Sequence, residues 1–184
     1  MLGVTMKIDP LEVQFHLVHD CIRAITYADY VARKKPDAEA WLSITDMFYS
    51  EAIISWNIVF GTDSQELHWK NISKKLPIPK SSKLKPFGKE IIIEYLGITT
   101  DEWKQYHKEM VDIRNERLAH FNYNISQDTL PNVTWALRSS YLYREWLLSL
   151  LREYRKMGKS INVTETSGEE MIKMFENQIA EICK

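Results

Sequence analysis

Between residues 10 and 34 apolar side chains recur at spacings of three and four: Leu11, Phe15, Val18, Ile22, Ile25, Ala28 and Tyr30. That period is one face of an α-helix, and Pro36 is placed to end it. Asp37 is positioned to cap a second helix through about Phe60, with Gly61 as its stop. This second segment is apolar almost all round (Trp41, Leu42, Ile44, Met47, Phe48, Ile53, Ile54, Trp56, Val59), which predicts a place inside a bundle. Asp63 and Glu66 have capping-box spacing for a short helix ending near Lys74, and Pro77, Pro79 and Pro86 mark 76–86 as a loop. A fourth helix is expected over about 87–96, closed by Gly97. Thr99 and Glu102 form a second capping box, opening a helix that runs to about His120 with Trp103, Tyr106, Met110 and Ile113 on its apolar face. Asn122, Asn124 and Asp128 break the pattern before Pro131, read as the first-turn proline of a sixth helix over about 132–157. Ser167 and Glu170 cap a last helix. With no strand-like alternation and no repeat, the expected fold is all-α. It is read as one helical domain over 1–184, an antiparallel four-helix bundle with additional short helices.

Composition narrows the setting. A chain of 184 residues with 45% apolar and 27% charged residues can bury a full single core. Two cysteines, Cys21 and Cys183, are too few for a disulfide scaffold and point to reduced thiols in a cytoplasmic protein. No apolar run has the length of a signal sequence or membrane span, so no membrane partner is expected, and the N-x-S/T triplets at Asn71, Asn124, Asn132 and Asn162 are read as chance. Net charge is −1, which argues against a protein that is basic overall. Charge is nevertheless uneven. Residues 70–89 hold seven lysines and no acid, so this stretch carries +7 against −8 elsewhere. Lys83 and Lys85, near its middle, are candidate phosphate contacts; a solvated loop is the plainer account of the same residues.

Most of the usual chemical signatures are missing. The sequence has no Gly-rich phosphate loop, no paired CxxC and no Ser nucleophile elbow, and no cofactor is expected. His16, His19 and Asp20 share a helix face but lack a second half-site, which favours interhelical hydrogen bonding over a metal. His68, beside Trp69, and His107, one turn after Trp103, read as helix-packing or interface histidines.

One stretch stands apart: Val111-Asp112-Ile113-Arg114-Asn115-Glu116-Arg117-Leu118-Ala119-His120-Phe121-Asn122. On an α-helix Arg114, Arg117 and His120 step back by about 60° each and climb roughly 9 Å in all, a slanting stripe near the helix end. Arg offers a planar fork suited to phosphate oxygens, and His has a reference pKa of about 6.5, suited to proton transfer. Asn115 adds an amide, and Glu116, one turn before His120, is placed to orient the imidazole. The same residues also fit a solvated helix face with a dipole-stabilised C-terminal His.

The Arg-Asn-x4-His pattern resembles the signature of the HEPN superfamily, and is most similar to its abortive-infection, AbiU-type branch. Ser55-Trp56-Asn57-Ile58-Val59-Phe60-Gly61 and the following His68-Trp69-Lys70 resemble that branch too, although Trp56 and Phe60 read first as core and Gly61 as a helix stop. The resemblance spans about residues 40–125. It implies a helical bundle that dimerises, and a metal-independent endoribonuclease of a toxin–antitoxin or abortive-infection system cutting RNA at the dimer cleft. Arg114, Asn115 and His120 would be catalytic, with Arg117, Lys83 and Lys85 binding substrate. An antitoxin or nucleotidyltransferase partner is also implied. Some members are modified on a Tyr two residues after the His; that position here is Asn122, with Tyr123 next to it. The superfamily also includes non-catalytic members, so the alternative is a helical interaction or nucleotide-binding module serving as an accessory defence subunit.

Overall fold

The structure, a computed structural model, describes residues 9–35, 39–119 and 131–184, with the backbone alone at 117–119. The described residues form helices and loops with no strand: α1 (Pro10–Lys34), α2 (Glu39–Phe60), α3 (Trp69–Lys75), α4 (Lys89–Leu96), α5 (Thr100–Ile113), a π-helical turn (Arg114–Ala119), α6 (Val133–Lys156) and α7 (Gly168–Ile182). Local signals set many of the ends. Asp9 accepts from the Leu11 N–H ahead of Pro10 at the start of α1, and Gly97 (φ 71°) closes α4. Two of the three expected capping pairs, Thr99–Glu102 and Ser167–Glu170, are formed, each as a box.

α1 packs on α2, α6 and α7. Its predicted face is buried, including Leu11, Phe15, Val18, Ile22 and Ile25. α1 and α2 run antiparallel, since Asp29 meets Tyr49 while Gln14, near the other end, meets Leu67 just past α2. α6 runs alongside α2 in the same direction, Trp56 bonding Ser139 (2.9 Å) and Phe60 touching Tyr143. α5 lies antiparallel to α2, with Asn57 on Met110 and Phe60 on His107. An aromatic spine of Trp56, Phe60, Tyr143, Phe87 and Trp146 links these helices to the loop before α4.

Two boundaries and the cover of α2 depart from expectation, while a third boundary is not described. Pro36 and Asp37, the predicted stop and cap between α1 and α2, lie outside the described residues. The Asp63–Glu66 box does not form. Asp63 is drawn instead to Lys70 (2.7 Å), and α3 starts later, at Trp69, capped by the His68 ring. Pro131 precedes the cap residue Asn132 and is not in the first turn of α6. Finally, α2 is buried mainly in its second half, Thr45 apart. α6 crosses it near Trp56 and Phe60, which leaves Leu42 and Met47, as well as Ile54, exposed at 52%, 70% and 43%.

Candidate active site

The C-terminal turn of α2 is where the separate motifs meet. Asn57 is buried and donates from Nδ2 to Ile53 O and to Met110 O, both at 2.9 Å, tying α2 to α5. Gly61 donates its N–H to Asn57 O (2.9 Å) and lies so close that a Cβ there would sit 2.4 Å from the same oxygen. His107 Nε2 lies 2.8 Å from Phe60 O and 2.9 Å from Gly61 O, so that nitrogen carries the proton and donates to both. Gln65, its amide oriented by its neighbours, donates to Asn57 O (2.8 Å) and Ile58 O (3.2 Å) and accepts from Arg114 Nη1 (3.1 Å). The last carbonyls of α2 therefore have side-chain partners from two other segments. The guanidinium of Arg114 is fastened beside this negative helix end.

His68 completes the cluster. Its Nδ1 accepts from Lys70 N–H (3.3 Å), which leaves the proton on Nε2, 3.5 Å from Asp63 Oδ1. Burial lowers its pKa to about 4, against the opposing pull of Asp63. The ring is neutral at pH 7 and serves as a cap. Asp63 is held below the usual carboxylate range, chiefly by the hydrogen bond from Lys70.

Arg114 also begins the π-helical turn. Asn57 donates to the carbonyl of Met110, which also accepts from the Arg114 N–H, so α5 is tied to α2 at the turn where the winding changes. Residues 114–119 thus wind as a π-helix, whose bonds close five residues apart, and not as the α-helix on which the Arg114–Arg117–His120 stripe was drawn; His120 lies outside the described residues. Glu116, expected to orient the imidazole from one α turn away, is exposed within the same π turn.

Arg114 is half-buried, its Nε buried without a partner among the described residues, and Asn115 is exposed beside it. The side chain of Arg117, and His120, Asn122 and Tyr123 entirely, lie outside the described residues. Lys83 and Lys85 are exposed on the loop before α4, a separate element.

Other predicted candidates resolve as structural. His19 Nε2 accepts from Arg144 Nε (3.0 Å), the interhelical bond favoured for it, and burial together with Arg144 lowers its pKa to about 4. Asp20 pairs with Arg23 (2.8 Å) and His16 is exposed. Trp56, Trp69 and Trp103 are buried in the core.

Sequence reasoning missed Gln65 as the link between Arg114 and α2, because a lone Gln in a turn carries no pattern. The roles of His68 and His107 as caps were equally unmarked, although their nearness to Gly61 and to Arg114 in sequence was a usable hint. No protein-family model, curated protein or solved structure matches the chain, so the functional reading rests on its own residues.

Proposed function

We propose that the protein is a metal-independent endoribonuclease of a toxin or abortive-infection system, a cytoplasmic HEPN-like four-helix bundle that cuts RNA in a cleft between two copies. The observation that carries this reading is the π-helical turn beginning at Arg114. Such turns interrupt the regular ladder at a cost in stability and recur at functional sites. Here the turn coincides with the Arg-Asn of the motif, and Arg114 is held by Gln65 against the Trp56–Gly61 element that shares the resemblance.

In the proposed reaction the 2′-oxygen attacks the adjacent phosphorus and the P–O5′ bond breaks, leaving a cyclic phosphate and a 5′-hydroxyl. His120 moves the proton, taking it from the 2′-hydroxyl or giving it to the departing oxygen. Arg114 stabilises the charge gathering on the phosphate, and Asn115, with Arg117, positions it. Two copies supply the two imidazoles that acid and base catalysis call for. Lys83 and Lys85 draw the polyanion in. An antitoxin or nucleotidyltransferase partner would restrain the activity.

The test is cleavage of single-stranded RNA with chelator present, read together with toxicity on overexpression. Arg114→Ala and His120→Ala are expected to lower cleavage by at least about a hundredfold with unchanged helical content. A wild-type protein that leaves RNA intact, or variants that cut as well as it does, would overturn the proposal.

The exposed apolar side chains on the first half of α2, Leu42 and Met47, favour a second reading, a non-catalytic interaction module. Under it the protein is neither toxic nor a nuclease, and it co-purifies with a partner that is lost in Met47→Asp.

A further inference from the structure

Residues 76–88, between α3 and α4, form no regular element, yet they are pinned to the core. Leu76 and Phe87 are buried, Tyr154 donates its hydroxyl to Pro77 O (3.0 Å), and Trp146 Nε1 donates to Lys85 O (2.8 Å). The segment turns back on itself through Ser82 N–H to Pro79 O (2.9 Å). The lysines it carries are thereby presented from a fixed frame. Lys70 pairs with Asp63 and Lys75 with Glu66, whereas Lys74, Lys80, Lys83, Lys85 and Lys89 are exposed and make no salt bridge among the described residues. Five like charges over residues 74–89, with no acid between them in sequence, favour a polyanion that releases its own counterions on binding.

A cleft of about 250 Å³ opens between this arm and α6. It is lined by the aromatic rings of Phe87 and Trp146, by Leu76, Ile78 and Pro86, and by Lys74. The Trp146 ring lies parallel to Tyr143 (10° between planes) and Phe87 is 4.6 Å from the same tyrosine. The space is below the range usual for a drug-sized ligand and suits one small flat group. A flat apolar group beside a row of cations is the repeating unit of a single strand of nucleic acid, base and phosphate together.

We propose that this cleft is a nucleobase pocket. One base of a bound single strand inserts between Ile78 and Pro86 onto Phe87 and Trp146, while Lys74, Lys83 and Lys85 hold the flanking phosphates. The inference rests on RNA being the partner, as in the function proposed above, but it concerns binding and not cleavage. It assigns the lysine-rich arm a base-dependent grip in addition to a charge-dependent one.

The test uses a fluorescein-labelled 2′-O-methyl oligonucleotide of 12 nucleotides, which has no free 2′-hydroxyl to react, and an abasic backbone of the same length and charge. Anisotropy titrations of the whole protein against both probes are made at several salt concentrations. The base-bearing probe is expected to bind about tenfold tighter than the abasic one. Ser73→Phe, which fills the cleft from its α3 side, removes that difference while keeping the salt dependence. Lys83→Ala/Lys85→Ala weakens both probes and reduces the salt slope by about two. Equal affinity of the wild-type protein for the two probes overturns the pocket without needing any variant. Equal competition by polyglutamate overturns it in favour of an acidic protein partner. Base-dependent binding in a protein that cuts no RNA leaves the pocket standing and removes the nuclease, and cleavage with base-independent binding does the reverse.

Discussion

Gly61 is required by space and not by backbone conformation. Among the described glycines only Gly97 and Gly158 have positive φ. A Cβ at 61 would meet Asn57 O at 2.4 Å and Asn57 Oδ1 at 2.9 Å, and Asn57 is locked by its bonds to Ile53 and Met110. Neither the carbonyl nor the amide can retreat without disturbing the bonds that join α2 to α5. Gly61→Ala is therefore expected to lower stability by about 1–3 kcal/mol, as overpacking does in a closed core. Gly97→Ala, where a Cβ meets nothing within 4 Å, is expected to lose about 1–2 kcal/mol from left-handed strain alone. Urea unfolding of both variants checks this, and only Gly61→Ala should also loosen Gln65 and weaken RNA cleavage through Arg114. A Gly61→Ala protein with wild-type midpoint and activity would show that the close approach is not present.

At the scale of elements, α7 is attached differently from the rest. It packs on α1 and buries Met171, Phe175 and Ile179, and Met171 and Phe175 form a small cluster of their own with Ile22. The loop leading into it is held by Arg144, whose side chain is fully buried and donates to His19, Glu145 and Thr166 O. Arg144→Met keeps much of the volume but orphans the His19 ring and the Thr166 carbonyl. The expected result is a loss of about 3 kcal/mol and faster amide exchange in α7 than in α6, read by hydrogen–deuterium exchange. Unchanged protection of α7 would sink this account. Elements defined by contacts between near neighbours were legible in the sequence: the Thr99–Glu102 and Ser167–Glu170 boxes each join residues three apart, and the buried face of α1 follows its own period. The elements that were misread depend on distant partners. The change of winding at Arg114 comes directly after the turn that Asn57, 53 residues from Met110, ties to α2, and Asp63 bonds a lysine where a cap was expected. α2 was apolar on all sides, but how far α6 covers it is a property of the packing. The candidate site divides the same way. Arg114 and Asn115 were marked by their motif, while Gln65, which holds Arg114, belongs to no pattern until α2 and the π turn are side by side.

Across the whole molecule, two neutral imidazoles link stability to pH. His19 and His68 sit in different layers, one between α1 and α6 and the other at the start of α3, and each accepts a hydrogen bond that its protonated form could not accept. Both have pKa values lowered to about 4, by burial first and then, for His19, by the charge of Arg144. In the unfolded chain each would titrate near its ordinary value of about 6.5. Between these limits the unfolded state binds more protons than the folded one, so stability rises with pH. It is complete above about pH 6.5 and is lost progressively as the pH falls towards 4. The carboxylates held low, Asp63 by Lys70 and Glu165 by Arg152 and Arg155, act in the same direction but only lower on the scale, below the ordinary carboxylate range. Urea midpoints between pH 7.5 and 4.5 therefore report the histidines separately. His68→Asn keeps a side chain able to cap α3, and His19→Gln keeps an acceptor for Arg144, so each removes a titrating group while sparing its hydrogen bond. The double variant is expected to show a markedly flatter profile over that window than the wild-type protein. An equal slope in both would mean that neither ring is held neutral by its surroundings.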